Sequence, residues 1–102
     1  MIRLVLLSAL SVSLALPVAA QSKKARFCDE LGEASQKIAE LRVAGSSETD
    51  AQLAMIEHFG EDKTAHLQMV PYLSAFVYGL SGEQLKDDVG SAFAEQCKAF
   101  EG

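Results

Sequence analysis

The sequence predicts an all-α fold: a small four-helix bundle-like domain whose helix 1 start and helix 4 end are joined by a disulfide. Three observations carry that prediction. Apolar residues recur at steps of three and four through most of the chain, and no useful stretch alternates with the period of a strand. Glycines and capping residues cut the pattern into four segments. The two cysteines, Cys28 and Cys97, fall near the two ends of the patterned region.

Helix 1 is expected from the stripe Phe27, Leu31, Ala34, Ile38 and Leu41. Asp29 and Glu30 suit a first turn, whereas the basic Lys23, Lys24 and Arg26 do not, so residues 21–25 are expected to fray. Gly45 is the natural stop. Ser47 with Asp50 three residues on is a capping-box pattern that opens helix 2. Leu53, Ile56 and Phe59 form its expected buried side, and Gly60 ends it. Helix 3 starts near Asp62 or Thr64 and runs to about Tyr78, with Pro71 kinking or restarting it. Ser81 with Gln84 is a second capping box, expected to open helix 4. Leu85, Val89, Phe93, Cys97 and Phe100 continue that helix at the same spacing, weakened locally by Gly90. Helices 1 and 4 are then of similar length.

The first twenty residues read as a targeting segment rather than as fold. Arg3 is followed by the uncharged run Leu4–Leu16, then Pro17 and the small residues Val18-Ala19-Ala20. That is the pattern of a secretory signal with cleavage near Ala20. Thirteen residues at about 1.5 Å each cannot cross a bilayer core of about 30 Å, so no stable membrane anchor is expected. Residues 21–102 form the single helical domain, and the expected location is periplasmic or secreted.

A domain of this size buries only about 60–65% of its unfolded surface and needs reinforcement. In an exported chain two cysteines supply a Cys28–Cys97 bridge, free thiols and bridges between chains being the alternatives. Closing a loop of about 70 residues stabilises by roughly 4 kcal/mol in the chain-entropy model. In an up-down-up-down bundle the start of helix 1 and the end of helix 4 share one end, where such a bridge belongs.

Composition narrows the function classes. Without Arg3, eight Lys and Arg face fourteen Asp and Glu, a net charge of −6. Nucleic acid and anionic membranes repel such a surface. There is no G-x-S-x-G, phosphate loop or dinucleotide fingerprint, so neither an enzyme nor a cofactor is expected. His58, Asp62 and His66 would share a face only if helices 2 and 3 were continuous, which Gly60 opposes; they are weak metal candidates. Asp87-Asp88 is expected on an exposed face. Arg42, in the last turn of helix 1, is expected to sit favourably near the end of its own helix, or to pair with a carboxylate.

The segment "MVPYLSAFVYGL", residues 69–80, is apolar on more than one face. Met69, Leu73, Phe76 and Leu80 form one stripe, and Val70, Val77 and Tyr78 lie off it. A helix apolar nearly all round is surrounded by its own chain or by something else. Met69, Tyr72, Phe76, Val77 and Tyr78 are therefore the candidate interaction residues, for an unknown protein partner or a second copy.

The pattern C-x5-A-x3-I-x3-R-x2-G over Cys28, Ala34, Ile38, Arg42 and Gly45, with Val77-Tyr78 and F-x3-C over Phe93 and Cys97, resembles small exported two-cysteine helical proteins of proteobacteria and their phages. The resemblance spans most of the mature chain and implies periplasmic placement and the bridge; it implies no activity. In size, signal and cysteine count alone the chain is also similar to periplasmic acid-stress chaperones. The expected function is accordingly protein–protein interaction through the helix 3 face, as in dimerisation or inhibitor-type binding. An acid- or stress-responsive holdase is the alternative, and a small-ligand carrier between helices the third.

Overall fold

The computed structural model describes residues 18–100. The expected signal segment lies outside the described residues, except that Val18–Ala20 open the first helix. Four α-helices are present among the described residues: α1 (Val18–Val43), α2 (Glu48–Phe59), α3 (Thr64–Tyr78) and α4 (Val89–Ala99), with a 3-10 turn at Gln84–Lys86 before the last. No described helix is long and apolar enough to cross a membrane.

Local chemistry explains most of the boundaries. At the end of α1 the Ser46 N–H donates to Leu41 O and the Gly45 N–H to Arg42 O, the paired bonds of a Schellman motif. That motif needs a left-handed residue, and Gly45 has φ +98°. Ser47 caps α2 by accepting from the Asp50 N–H at 3.1 Å, and Gly60 at φ +79° ends it. α3 continues through Pro71 without restarting.

Two expectations about the ends fail. Residues 21–25 are helical: the Lys24 ammonium donates to Phe100 O, so the basic start of α1 is held against the far end of α4. The last helix does not begin at Ser81. The Ser81–Gln84 box does form, with the Ser81 N–H donating to Gln84 Oε1 at 2.8 Å and the Gln84 N–H to Ser81 Oγ at 3.2 Å. It opens only a 3-10 turn, because Asp87 is extended and Asp88 captures the chain as a second N-cap, accepting from the Ser91 N–H at 3.1 Å. α4 is thus 11 residues against 26 for α1, not of similar length.

Contacts along α1 fix the topology. His66 at the start of α3 meets Phe27 and Glu30, and Val77 and Leu80 at its end meet Arg42, so α3 runs parallel to α1. α2 and α4 run antiparallel to it, giving the expected up-down-up-down order. α1 packs against all three other helices. The shared core is Leu31, Ala34, Ile38 and Ala39 from α1, Ala51 and Met55 from α2, Val70, Leu73 and Val77 from α3, and Val89. Each large side chain among these stabilises by about 1.5–3 kcal/mol.

The Cys28–Cys97 bridge is formed, with Cα atoms 5.5 Å apart. One turn on, α1 and α4 touch backbone to backbone. A Cβ on Gly32 would lie 2.6 Å from Gly90 O, and one on Gly90 would lie 2.7 Å from Gly32 O. Only hydrogens fit there. Gly90 is therefore a contact point in the first turn of α4, its N–H donating to Gln36 Oε1 at 3.1 Å, rather than a weak spot in mid-helix.

Candidate interaction surface

The structure distributes the candidate residues of α3 unevenly. The buried face of that helix is Val70, Leu73, Ser74 and Val77, which shares only Leu73 with the stripe read from the sequence. Val77 lies wholly inside the core. Met69 and Phe76 are half-buried against it, and the Phe76 ring packs on Phe93 of α4 at 5.5 Å. α3 is apolar around much of its girth because α1 and α2 flank it and Phe93 covers a further strip. Tyr72 alone of the five stands outside, 69% exposed.

Tyr78 is tied into the α1–α2 corner. Its hydroxyl donates to Ser46 O at 2.6 Å, and the Arg42 guanidinium lies 5.6 Å from its ring centre. Burial pushes the phenol above its ordinary value; Arg42 opposes that shift, and Glu48 and Asp50 add to it. Arg42 itself neither serves its own helix end nor finds a carboxylate. Its Nη1 donates to Val77 O at 2.6 Å and Leu80 O at 2.7 Å, joining the Leu80 N–H on Val77 O and tying α1 to the turn that follows α3.

Ser74 is the polar centre of the α2–α3 contact. Its buried Oγ accepts from Gln52 Nε2 at 2.7 Å and lies 3.1 Å from Glu48 Oε2 and 3.0 Å from Pro71 O. The sequence reading passed over it, since a serine within an apolar run carries no periodic signal.

The candidate metal residues are not assembled. His66 turns toward α1, where its ring packs between Phe27 at 4.7 Å and Phe59 at 5.0 Å. Its Nε2 stands 3.0 Å from Glu30 Oε2 without hydrogen-bond alignment. Lys63 Nζ approaches the same oxygen at 3.5 Å. His58 and Asp62 are exposed elsewhere, and among the described residues no group of three His, Cys, Asp or Glu could hold a metal.

Two open grooves flank α1. One, of about 380 Å³, lies between α1 and α4 and contains Asp29, Glu33 and Asp88. Two of its carboxylates are engaged. Asp29 pairs with Lys98 at 2.7 Å, and Asp88 accepts from both the amide and the hydroxyl of Ser91, which hold its carboxyl below the usual range. The other, about 400 Å³, runs between α1 and α2 past Lys37, Leu41, Met55 and His58. No α3 side chain lines either groove.

The large apolar side chains left outside are Val43, Tyr72, Phe100 and, as a pair on one helix, Leu53 and Ile56 of α2. Its buried residues are Ala51 and Met55, with Phe59 half-buried. Leu53 and Ile56, expected inside, are 56% and 47% exposed. Ala51 and Met55 occupy the face of α2 toward α1 and α3, which turns Leu53 and Ile56 outward. No charged residue of the Asp, Glu, Lys or Arg type occurs in α3, so the neighbouring outer face around Tyr72 is also neutral. Compared with protein-family models, curated proteins and solved structures, the chain finds no match.

Proposed function

We propose that this chain is an exported, disulfide-stapled helical domain that acts by binding another protein through the outer side of α2 and α3. The observation that carries this reading is the pair Leu53 and Ile56, exposed on a well-formed helix while Ala51 and Met55 fill the core. Aliphatic side chains of that size gain by leaving water, and this fold leaves about half of each uncovered. Tyr72 extends the surface onto α3. The bridge supports an oxidising compartment such as the periplasm. Catalysis is not part of the reading, because the described polar clusters are engaged in holding helices together.

A photo-crosslinking residue placed at Ile56 or Tyr72, in cells making the protein, tests this. An adduct of defined mass is expected from those positions and not from one at Glu33 across the molecule. It should also be lost with Leu53→Ser. Equal adducts from all three positions, or none from Ile56 and Tyr72, would reject the surface.

A second reading, an acid-responsive holdase, has its own support. Glu30 joins α1 to His66 and Lys63, Asp29 joins α1 to Lys98, and Asp88 caps α4. The Asp88 cap is lost as pH falls through its depressed folded-state value, and Glu30 and Asp29 place further carboxylates at contacts between helices. Release of α4 would uncover Phe76 and Phe93. The test is a client-aggregation assay near pH 3: no suppression there ends this reading.

A further inference from the structure

Resting on the reading of α2 as the binding face, we propose that its occupant is a cationic amphipathic helix, with an apolar row that seats on Leu53 and Ile56 and Lys or Arg beside it. Helical spacing puts Thr49 one turn before Leu53 and Gly60 one turn after Ile56, so the apolar pair is open at both ends. Asp50 and Glu57, three before and four after Leu53, run along one border, and both are exposed. The other border is Gln52 and Phe59, where α2 meets α3.

Charge selects among occupants. α2 contains Glu48, Asp50 and Glu57 and no Lys or Arg, and the turn after it adds exposed Glu61 and Asp62. Lys63, the nearest basic residue in that turn, leans onto Glu30 instead. A second copy placed face to face would set these carboxylates against their own equivalents, and like charges so opposed repel. An acidic partner meets the same penalty. A helix with a basic border gains contact at Asp50 and Glu57 and is steered there by the field of a chain with net charge −5.

The test is fluorescence anisotropy with the exported full chain, its bridge intact, and three labelled probes of equal length: a Lys/Leu amphipathic helix, its Glu/Leu counterpart and a scrambled Lys/Leu peptide. The Lys/Leu helix should bind best. Its affinity should fall about tenfold or more with Leu53→Ser/Ile56→Ser and with Asp50→Asn/Glu57→Gln, and should fall again as salt is raised. Equal binding of the scrambled peptide, insensitive to Leu53→Ser/Ile56→Ser, would overturn the proposal as non-specific charge attraction. Equal binding of the Glu/Leu helix at Leu53 and Ile56, or self-association through those residues in sedimentation, would overturn the cationic partner while leaving α2 a binding face. If no probe binds, the cationic partner is rejected and the Ile56 crosslink judges the face alone.

Discussion

The α1–α4 pair and the α2–α3 pair are both antiparallel helix contacts, yet they are built in opposite ways. α1 and α4 meet through a covalent bridge at Cys28–Cys97 and bare backbone at Gly32–Gly90, with Lys24 and Lys98 tying the ends. α2 and α3 meet through a polar knot on Ser74 and a corner held by Tyr78 and Arg42. Each pair leaves apolar side chains outside: Val43 and Phe100 at helix ends in the first, Leu53, Ile56 and Tyr72 within the helices of the second. A short helix that cannot bury enough area is clamped, and the half that is secured by hydrogen bonds is the one with apolar side chains exposed along its helices.

Perturbing each half in turn sharpens that contrast. The largest effect is expected from Cys28→Ser/Cys97→Ser, which should cost about 2–5 kcal/mol in urea unfolding. Amide exchange should then show α4 opening before α2 and α3; simultaneous opening of all four helices would erase the distinction. Gly32→Val comes next, at about 1–3 kcal/mol, because its side chain meets backbone that cannot yield without moving α4. Ser74→Ala should cost about 1–3 kcal/mol by leaving Gln52 and Glu48 without their shared partner, and a neutral result would show that the knot is not structural.

A smaller effect separates the pairs by pH. Asp88 has its carboxyl depressed by Ser91, so its contribution is complete above the ordinary value of 3.8 and is lost as pH falls through the folded-state value. Asp88→Asn keeps a cap but should flatten the stability profile between pH 5 and 3, read by thermal melts. An unchanged slope would remove Asp88 as a source of acid sensitivity. Least of all should come from Leu53→Ser/Ile56→Ser, expected within about 1 kcal/mol per site because about half of each side chain already faces water. A loss of several kcal/mol would place them in the core and remove the proposed surface.

What was legible in the sequence follows the range of each interaction. The Gly45 stop, the Ser47 cap and the Ser81–Gln84 box are bonds between residues three to five apart, and all of them formed. Even so, the second box did not launch its helix, because Asp88 offered a competing cap one turn later and placed Gly90 against Gly32. The inward face of α2 was misread for a different reason. Hydrophobicity favoured Leu53 and Ile56, but the space between α1 and α3 accepts Ala51 and Met55. The surface on which the functional proposal rests is the product of that override, which is why the sequence pointed to α3 instead.

Taken alone, the amino-acid order determined the all-α class, the helix ends set by local caps, the up-down order and the pairing of the only two cysteines. These depend on spacing along the chain, and spacing is what a sequence records. The tertiary structure decided which face of each helix is buried, where α4 starts, that Arg42 and Tyr78 lock the α1–α2–α3 corner, and that two glycines set the closest approach. Those outcomes depend on volume and distance between segments far apart in the chain, where a methyl group too many or a hydroxyl in reach changes which arrangement has the lower free energy.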